Sequence, residues 1–247
     1  MATNLLEGER ALVTGCGGGI GRGIAQALKA EGATVLGSDI KAPPAEDGID
    51  FLAGDLGQRD GWRALLDGAL KRLGSISLFV HAASPRRVET DTPLSVSEET
   101  WDAMTGVNLR AGFFLAREVG RHMVERGTRG RILLVTSLHR DTARNLPHYS
   151  ASKAGMTMVM KELARVLAPS GIRVNAIAPG AIPGGGFVAG NLGDLVSQIP
   201  LGRPGTPDDI AQMAVAVLSE RFGRYMVGTT VEIDGGLGLT SWIPAKA

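Results

Sequence analysis

The chain has 247 residues, and its hydrophobic content of 44% can fill the core of one large α/β domain. Lys and Arg number 26 against 25 for Asp and Glu, a balance that argues against an electrostatic nucleic-acid binder. Apolar runs stay below the roughly 18 residues of a membrane span, and the single cysteine, Cys16, supports neither an internal disulfide nor a metal cluster. We therefore expect a cytoplasmic protein that binds no metal, no nucleic acid and no membrane.

Short β-branched runs alternate with longer amphipathic segments along the whole chain. Strands and helices that alternate at this spacing predict right-handed βαβ crossovers. We therefore predict an α/β fold: one Rossmann-type, doubly wound parallel sheet of about seven strands, flanked by helices on both faces, in a single dinucleotide-binding domain spanning 1–247. The predicted strands are 11–13, 34–36, 50–53, 76–81, 131–136, 172–178 and 229–233, and the predicted helices are 20–30, 58–73, 98–108, 111–126, 149–168 and 207–219.

A glycine-rich loop, Thr14 to Gly21, follows the first predicted strand and opens the first predicted helix. Glycines there let the backbone approach a pyrophosphate, and the helix N-terminus supplies N–H donors and a positive dipole. Asp39, after the second strand, is placed to accept the hydroxyls of an adenosine ribose and to repel a 2′-phosphate. This pattern predicts NAD as the cofactor, with NADP less favoured. Arg22 and Lys41 are cations close to Asp39 in the predicted site, so NADP remains an alternative cofactor.

Tyr149 and Lys153 lie four residues apart in a predicted helix, so their side chains share one face. A phenol with a reference pKa near ~10 is a poor base at neutral pH, and a fixed cation beside it favours the phenolate. Ser137 ends the preceding strand and can bind a substrate oxygen without becoming charged. This pattern predicts proton exchange with a substrate hydroxyl.

The segment 179–200 is rich in glycine and follows a strand that should end near the cofactor. A long surface loop is the simplest interpretation of this composition. A mobile lid over the substrate, at about 183–198, is an equally good hypothesis.

These motifs, in this order, resemble the short-chain dehydrogenase/reductase family over almost the whole chain. The family's catalytic asparagine, serine, tyrosine and lysine match Asn108, Ser137, Tyr149 and Lys153. In the family the asparagine anchors a water that connects the lysine to solvent, and the lysine also holds the nicotinamide ribose. The resemblance further implies a homotetramer (or a homodimer), which the apolar side chains of 111–126 and 149–168 would suit. The cofactor contacts it implies are Gly15, Gly19, Ile20, Gly21, Asp39, Asp55, Leu56, Ala82, Ala83, Tyr149, Lys153, Pro179, Gly180 and Ile182.

Two positions depart from the family pattern. His81, Ala82, Ala83 and Ser84 stand where the family usually has N-N-A-G, so the side-chain network of the first two asparagines changes. We interpret His81 as a satisfied strand-end residue rather than a catalyst. Gly184 stands where a threonine often binds the nicotinamide carboxamide, which leaves that contact to backbone groups.

The predicted function is therefore an NAD-dependent oxidoreductase that interconverts a secondary alcohol and a ketone. His139, Arg140 and Arg144 are candidate substrate contacts, and together with Arg86 and Arg87 after the fourth strand they favour a small polar or anionic substrate such as a sugar, a hydroxy acid or a cyclic alcohol. Solvated loop charges are the simpler interpretation of these residues. Two alternatives stay open: a 3-oxoacyl-[acyl-carrier-protein] reductase and a non-catalytic dinucleotide-binding sensor.

Overall fold

The computed structural model describes residues 4–87, 90–184 and 193–239, and its described strands form one parallel sheet. The strand order is β3-β2-β1-β4-β5-β6-β7, which confirms the predicted doubly wound topology. The strands are β1 Arg10–Thr14, β2 Thr34–Asp39, β3 Asp50–Ala53, β4 Leu78–His81, β5 Arg131–Val135, β6 Arg173–Pro179 and β7 Thr230–Ile233. The helices are α1 Gly19–Ala30, α2 Gly61–Leu73, α3 Glu98–Thr105, α4 Gly112–Glu125, α5 Pro147–Leu167, α6 Gly193–Val196, α7 Pro207–Leu218 and α8 Glu220–Gly223.

Two hydrophobic layers sandwich the sheet, because successive strand residues point to opposite faces. In β1, Ala11 and Val13 join the layer that holds α1 and α7, whereas Leu12 joins the layer that holds α2, α4 and α5. All three side chains are fully buried. The continuous apolar strands of the sequence are therefore explained by burial on both faces.

The carboxyl ends of the central strands meet at one edge of the sheet. Thr14 pairs in register with Ser38 of β2 on one side and with His81 of β4 on the other. The chain runs outward from β1 through β2 to β3 and then returns to β4, so the direction of winding reverses between β1 and β4. A ligand crevice is expected outside the strand ends at such a reversal.

The predicted helices 98–108 and 111–126 form one continuous helical path. α3 passes into a π-helical turn, Gly106–Ala111, which leads directly into α4, and the junction residues keep right-handed helical dihedral angles. The sequence predicts two separate helices here, because a π turn shifts the phase of the apolar stripe between its two halves. The turn carries Asn108, one of the predicted catalytic residues.

The apolar side chains that suggested subunit contacts lie mostly inside the chain's own core. Leu115, Val119, Met123, Met156 and Met160 are buried in the layer beneath α4 and α5. Val124, Met158 and Val166 remain exposed on these helices. Of the predicted lid, residues 185–192 lie outside the described residues.

Two further expectations concern absences. None of the described helices is both long and apolar enough to cross a membrane. Within residues 4–87, 90–184 and 193–239, no cluster of three or more His, Cys, Asp or Glu side chains is placed to hold a metal ion.

Candidate active site

A cavity of about 830 Å³ lies at the carboxyl edge of the sheet, where the winding reverses. One end is formed by the loop between β1 and α1 together with the ends of β2 and β3. The other end is formed by the end of β5, the first turns of α5 and the segment after β6. All fourteen predicted cofactor contacts line this cavity, from Gly15, Gly19, Ile20, Gly21, Asp39, Asp55 and Leu56 at one end to Ala82, Ala83, Tyr149, Lys153, Pro179, Gly180 and Ile182.

The glycine loop has the form that a pyrophosphate requires. Gly15 has φ +77°, and a Cβ atom there would lie 2.6 Å from the amide nitrogen of Ala83. A Cβ atom on Gly17 would meet the Lys41 carbonyl oxygen at the same distance, whereas Gly18 faces open space. α1 begins after Gly18 with neither a side-chain cap nor an acidic residue in its first turn. The loop thus leaves backbone N–H groups and the positive end of the helix dipole available to an anion.

Asp39 joins the glycine loop to the end of β2. Its Oδ2 atom accepts a hydrogen bond from the Gly17 amide at 3.0 Å, and its Oδ1 atom accepts one from the Ile40 amide at 2.7 Å. An ionised carboxylate offers about four lone-pair sites, so it can still accept the hydroxyls of a ribose. Arg22 is held by Asp47 in a two-bond pair of 2.6 and 2.8 Å and does not line the cavity, whereas Lys41 does.

Tyr149 and Lys153 both face the cavity from the first turns of α5, as their spacing predicts. The Lys153 Nζ atom lies 5.4 Å from the centre of the Tyr149 ring and donates a 2.8 Å hydrogen bond to the Val135 carbonyl oxygen at the end of β5. Burial, and secondarily the charge of Arg87, lowers the pKa of Lys153 from 10.5 to about 7. A lysine tuned in this way can exchange a proton near neutral pH.

Ser137 lines the cavity two residues after the end of β5. Its hydroxyl caps the short helical turn Leu138–Arg140 by accepting a 3.3 Å hydrogen bond from the His139 amide. The ring of His139 packs edge-on against Tyr149, with 4.9 Å between ring centres, and its Nδ1 atom lies 3.1 Å from the Ser150 hydroxyl. Burial and nearby cations lower the pKa of His139 to about 3, so this ring is neutral at physiological pH.

Asn108 lies behind the cavity rather than on its wall. Its Nδ2 atom donates a 2.9 Å hydrogen bond to the Ser152 hydroxyl, which in turn donates to the Tyr149 carbonyl oxygen at 2.8 Å. The Asn108 Oδ1 atom is buried and accepts no hydrogen bond from the described part of the chain. Asn108 therefore braces the helical turn that carries Tyr149, and it keeps an acceptor for the water that the family resemblance implies.

The three predicted substrate contacts separate into two groups. His139 and Arg144 line the cavity. Arg140 does not, because its guanidinium group pairs with Glu232 of β7 and, at 3.0 Å, with Asp141. Arg140, whose side chain is 12% exposed, is therefore held by acidic partners outside the cavity and not in the substrate position that the sequence suggested.

Several further residues line the cavity that were not among the predicted catalytic, cofactor and substrate contacts. Arg87 lies with its guanidinium carbon 4.9 Å from the centre of the Tyr149 ring. Leu237 reaches the cavity because Asp234 accepts hydrogen bonds from the amides of Gly236 and Gly238 and so folds the intervening turn. Gly184 lines the cavity with φ +117°, a conformation that a threonine would adopt only with strain. The others are Gly17, Gly18, Ser38, Ile40, Lys41, Gly54, Gly57, Ser84, Pro85, Arg86, Val107, Val135, Thr136, Leu138, Ala181 and Leu195.

Comparison with known proteins gives consistent results across the chain. Residues 15–238 match a family model described as enoyl-(acyl carrier protein) reductase. The 2-dehydro-3-deoxy-D-gluconate 5-dehydrogenase of Escherichia coli is 32% identical over 94% of this chain and 96% of its own length. The structure of a 3-ketoacyl-(acyl-carrier-protein) reductase from Brucella melitensis, complexed with NADH, superposes with a TM-score of 0.86 at 31% identity, covering 94% of this chain and 99% of that one. A short-chain type dehydrogenase/reductase from Mycobacterium marinum superposes with a TM-score of 0.84 at 30% identity, covering 94% and 96% of the two chains.

Proposed function

This chain belongs to the short-chain dehydrogenase/reductase family of oxidoreductases, and we propose that it uses NAD(H) to interconvert a secondary alcohol and a ketone on a small polar substrate. The substrate classes that fit are sugars, hydroxy acids and cyclic alcohols. One observation carries the proposal: Tyr149 and Lys153 line the same cavity as the glycine loop, at its opposite end. A dinucleotide held along this cavity would extend from Asp39 to the two catalytic side chains.

The cofactor fit rests on the shape and donors of the cavity. The glycine loop and the start of α1 would hold the pyrophosphate, Asp39 the adenosine ribose, and Asp55 with Leu56 the adenine. Pro179, Gly180 and Ile182 would hold the nicotinamide end. When bound, the nicotinamide ring supplies hydride exchange with the substrate carbon.

The protein's own contribution is to move a proton at the substrate oxygen. The Tyr149 hydroxyl donates this proton during ketone reduction and accepts it during alcohol oxidation. Lys153 lies close enough for its charge to favour the phenolate, and a phenolate in turn favours the ammonium, so the two groups titrate as a coupled pair. The Ser137 hydroxyl binds the substrate oxygen and stabilises the charge that develops on it.

The preference for NAD over NADP is part of the proposal. Asp39 presents a carboxylate where a 2′-phosphate would lie, and the nearby Arg22 is engaged by Asp47. The bacterial reductase of similar structure was solved with NADH, which supports a nicotinamide dinucleotide in a cavity of this shape. Lys41 is the cation left on the cavity wall near Asp39.

A 3-oxoacyl-[acyl-carrier-protein] reductase is the second candidate, because the matching family model and one similar structure carry acyl-carrier names. Turnover of acetoacetyl thioesters well above that of sugars and hydroxy acids would favour it. The sensor hypothesis predicts NADH binding without turnover of any substrate. Retention of Tyr149, Lys153, Ser137 and Asn108 around one cavity argues for catalysis.

Replacing Tyr149 with phenylalanine tests the proposed chemistry directly. The change removes the acid/base hydroxyl and keeps the ring that packs against His139. We expect kcat to fall about 100- to 10,000-fold, with the NADH dissociation constant unchanged within about three-fold. Tyr225→Phe is the matched control, because Tyr225 is the chain's other tyrosine and is 99% exposed. Turnover by Tyr149→Phe equal to that of the control would remove Tyr149 from the mechanism.

A further inference from the structure

The catalytic end of the cavity is lined by cations that come from separate segments of the chain. Arg87 follows β4, Arg144 precedes α5, and Lys153 belongs to α5. The acidic side chains among the described lining residues are Asp39 and Asp55, and both lie at the opposite, adenosine end. The cavity is therefore electrostatically polarised, with positive charge gathered where the substrate should lie.

Arg87 acts on the reacting groups themselves. Its guanidinium carbon lies 4.9 Å from the centre of the Tyr149 ring, within the range of a cation–π contact. Its charge also contributes to lowering the pKa of Lys153 and that of His139. Arg87 is half-buried, so solvent screens this charge only in part.

Arg144 brings a second guanidinium group to the same place. It is partly buried, and its Nε atom is shielded from solvent without a hydrogen-bond partner in the described part of the chain. Arg144 lines the same cavity as Arg87 and His139, and its charge, like that of Arg87, helps to lower the pKa of His139. A buried guanidinium N–H without an acceptor is costly unless a ligand supplies the acceptor.

The ring of His139 does not balance these charges. It is kept neutral by burial and by the three cations around it, Arg87, Arg144 and Lys153. Among the described acidic side chains, Asp91 lies near the start of α5, where its Oδ2 atom is 3.9 Å from the Nε2 atom of the buried His148, and it does not line the cavity. An anion that binds between the arginines would supply the acceptor that the Arg144 Nε atom lacks in the described part of the chain.

Building on the proposed function, we propose that the substrate carries an anionic group, a carboxylate or a phosphate, which binds between Arg87 and Arg144 beside Tyr149. Guanidinium groups recognise either anion through paired, charge-assisted hydrogen bonds. The bound anion has a second effect, since it offsets the charge of Arg87 that disfavours the ammonium form of Lys153. The charged substrate thus favours the protonation state of Lys153 that stabilises the Tyr149 phenolate.

The first test compares substrates that differ only in charge. One arm pairs hydroxy acids with their primary amides, and the other pairs sugar phosphates with the free sugars. Each arm tests one of the two anions. In at least one arm we expect kcat/KM for the anionic substrate to exceed that for its neutral partner at least ten-fold. Arg144→Gln and Arg87→Gln should each lower kcat/KM for the anion about 10- to 100-fold, the usual loss of a hydrogen bond to a charged group, and should lower kcat/KM for the neutral partner by a much smaller factor.

The controls separate recognition from structural damage. Arg144→Lys keeps the charge but loses the paired donors, so it should recover part of the preference for the anion. Arg224→Gln removes an exposed arginine after α8 and should leave both members of each pair unchanged. All variants should bind NADH as the wild type does. Equal loss for charged and neutral substrates would indicate a structural role and overturn the proposal.

A second measurement does not depend on turnover. Malonate, inorganic phosphate and neutral malonamide are titrated into the enzyme–NADH complex by calorimetry. We expect malonate or phosphate to bind at least ten-fold more tightly than malonamide, and Arg144→Gln to abolish the difference. Equal binding of all three probes refutes the anion site, even if the enzyme reduces neutral ketones. Binding of the anions without turnover of any pair supports the anion site and counts against the proposed oxidoreductase activity.

Discussion

Replacing Lys153 with methionine should stabilise the protein at neutral pH while it abolishes activity. Lys153 is 3% exposed, and its pKa is lowered from 10.5 to about 7, so the fold disfavours the ammonium. Methionine fills a similar volume without a charge. Because the side chain contacts both Tyr149 and the proposed ribose position, the variant should also bind NADH more weakly.

The magnitude of the stability change follows from linkage. One pKa unit corresponds to ~1.4 kcal/mol, so this depressed pKa costs the fold about 5 kcal/mol below pH 7. The unfolded chain binds more protons than the folded one between pH 7 and 10.5, hence the cost disappears as the pH rises through this window. The substitution also leaves the Val135 carbonyl oxygen without its donor, at a cost of about 1–3 kcal/mol. The variant should therefore be more stable by about 2–4 kcal/mol at pH 6 and less stable than wild type near pH 10.5.

Urea unfolding followed by circular dichroism measures this difference between pH 6 and 10.5, at one protein concentration and without cofactor. Lys161→Met is the matched control, because Lys161 is an exposed lysine on the same helix. The free energy of unfolding of Lys161→Met should differ from that of the wild type by about the same amount at every pH in this range. Two results would refute the claim that burying the ammonium destabilises the fold. One is a difference in free energy of unfolding between Lys153→Met and wild type that stays constant with pH, and the other is a wild type that is more stable than the variant at pH 6.

Two further predictions concern the cofactor and the assembly. Asp39→Asn keeps an acceptor for the Gly17 amide but removes the charge, so kcat/KM for NADP⁺ relative to NAD⁺ should rise about ten-fold or more. A wild-type enzyme with a higher kcat/KM for NADP⁺ than for NAD⁺ would contradict the role of Asp39. On α4 and α5, Val124, Met158 and Val166 remain 46%, 56% and 70% exposed, and their burial between subunits would suit the proposed homotetramer. A monomer mass by light scattering at micromolar concentration would exclude that assembly.

Local rules explain why much of this site was predictable from the sequence. The spacing of Tyr149 and Lys153 places both on one helix face wherever the helix lies. The glycine loop is recognisable because Gly15 has φ +77°, a conformation that favours glycine. Both features depend on local backbone geometry. They can therefore be predicted before any tertiary contact is known.

The substrate contacts depend instead on residues that are distant in sequence. Arg140 and Arg144 lie in one loop, and composition alone does not distinguish them. Glu232, 92 residues further along the chain, pairs with Arg140 away from the cavity, whereas Arg144 faces the cavity. A side-chain partner on β7 decided the outcome for Arg140, and periodicity carries no record of it.

His81, where the chain departs from the family pattern, makes a long-range contact that explains the glycine at position 112. The buried ring lies 2.9 Å from the Thr14 hydroxyl through Nδ1, and burial lowers its pKa to about 4, so it is neutral. A Cβ atom on Gly112 would come within 2.7 Å of the ring, so α4 can begin this close to β4 only with glycine at that position. The His81 Nε2 atom is buried without a hydrogen-bond partner in the described part of the chain, so the expectation of a satisfied histidine holds for Nδ1 alone. The backbone of Val107 and Asn108 partly opposes the lowering of the pKa, so the ring also lies near the π turn. A histidine at 81 and a glycine at 112 are therefore a matched pair. Together they hold the turn that carries Asn108 against the end of β4, in a position where the family usually relies on an asparagine.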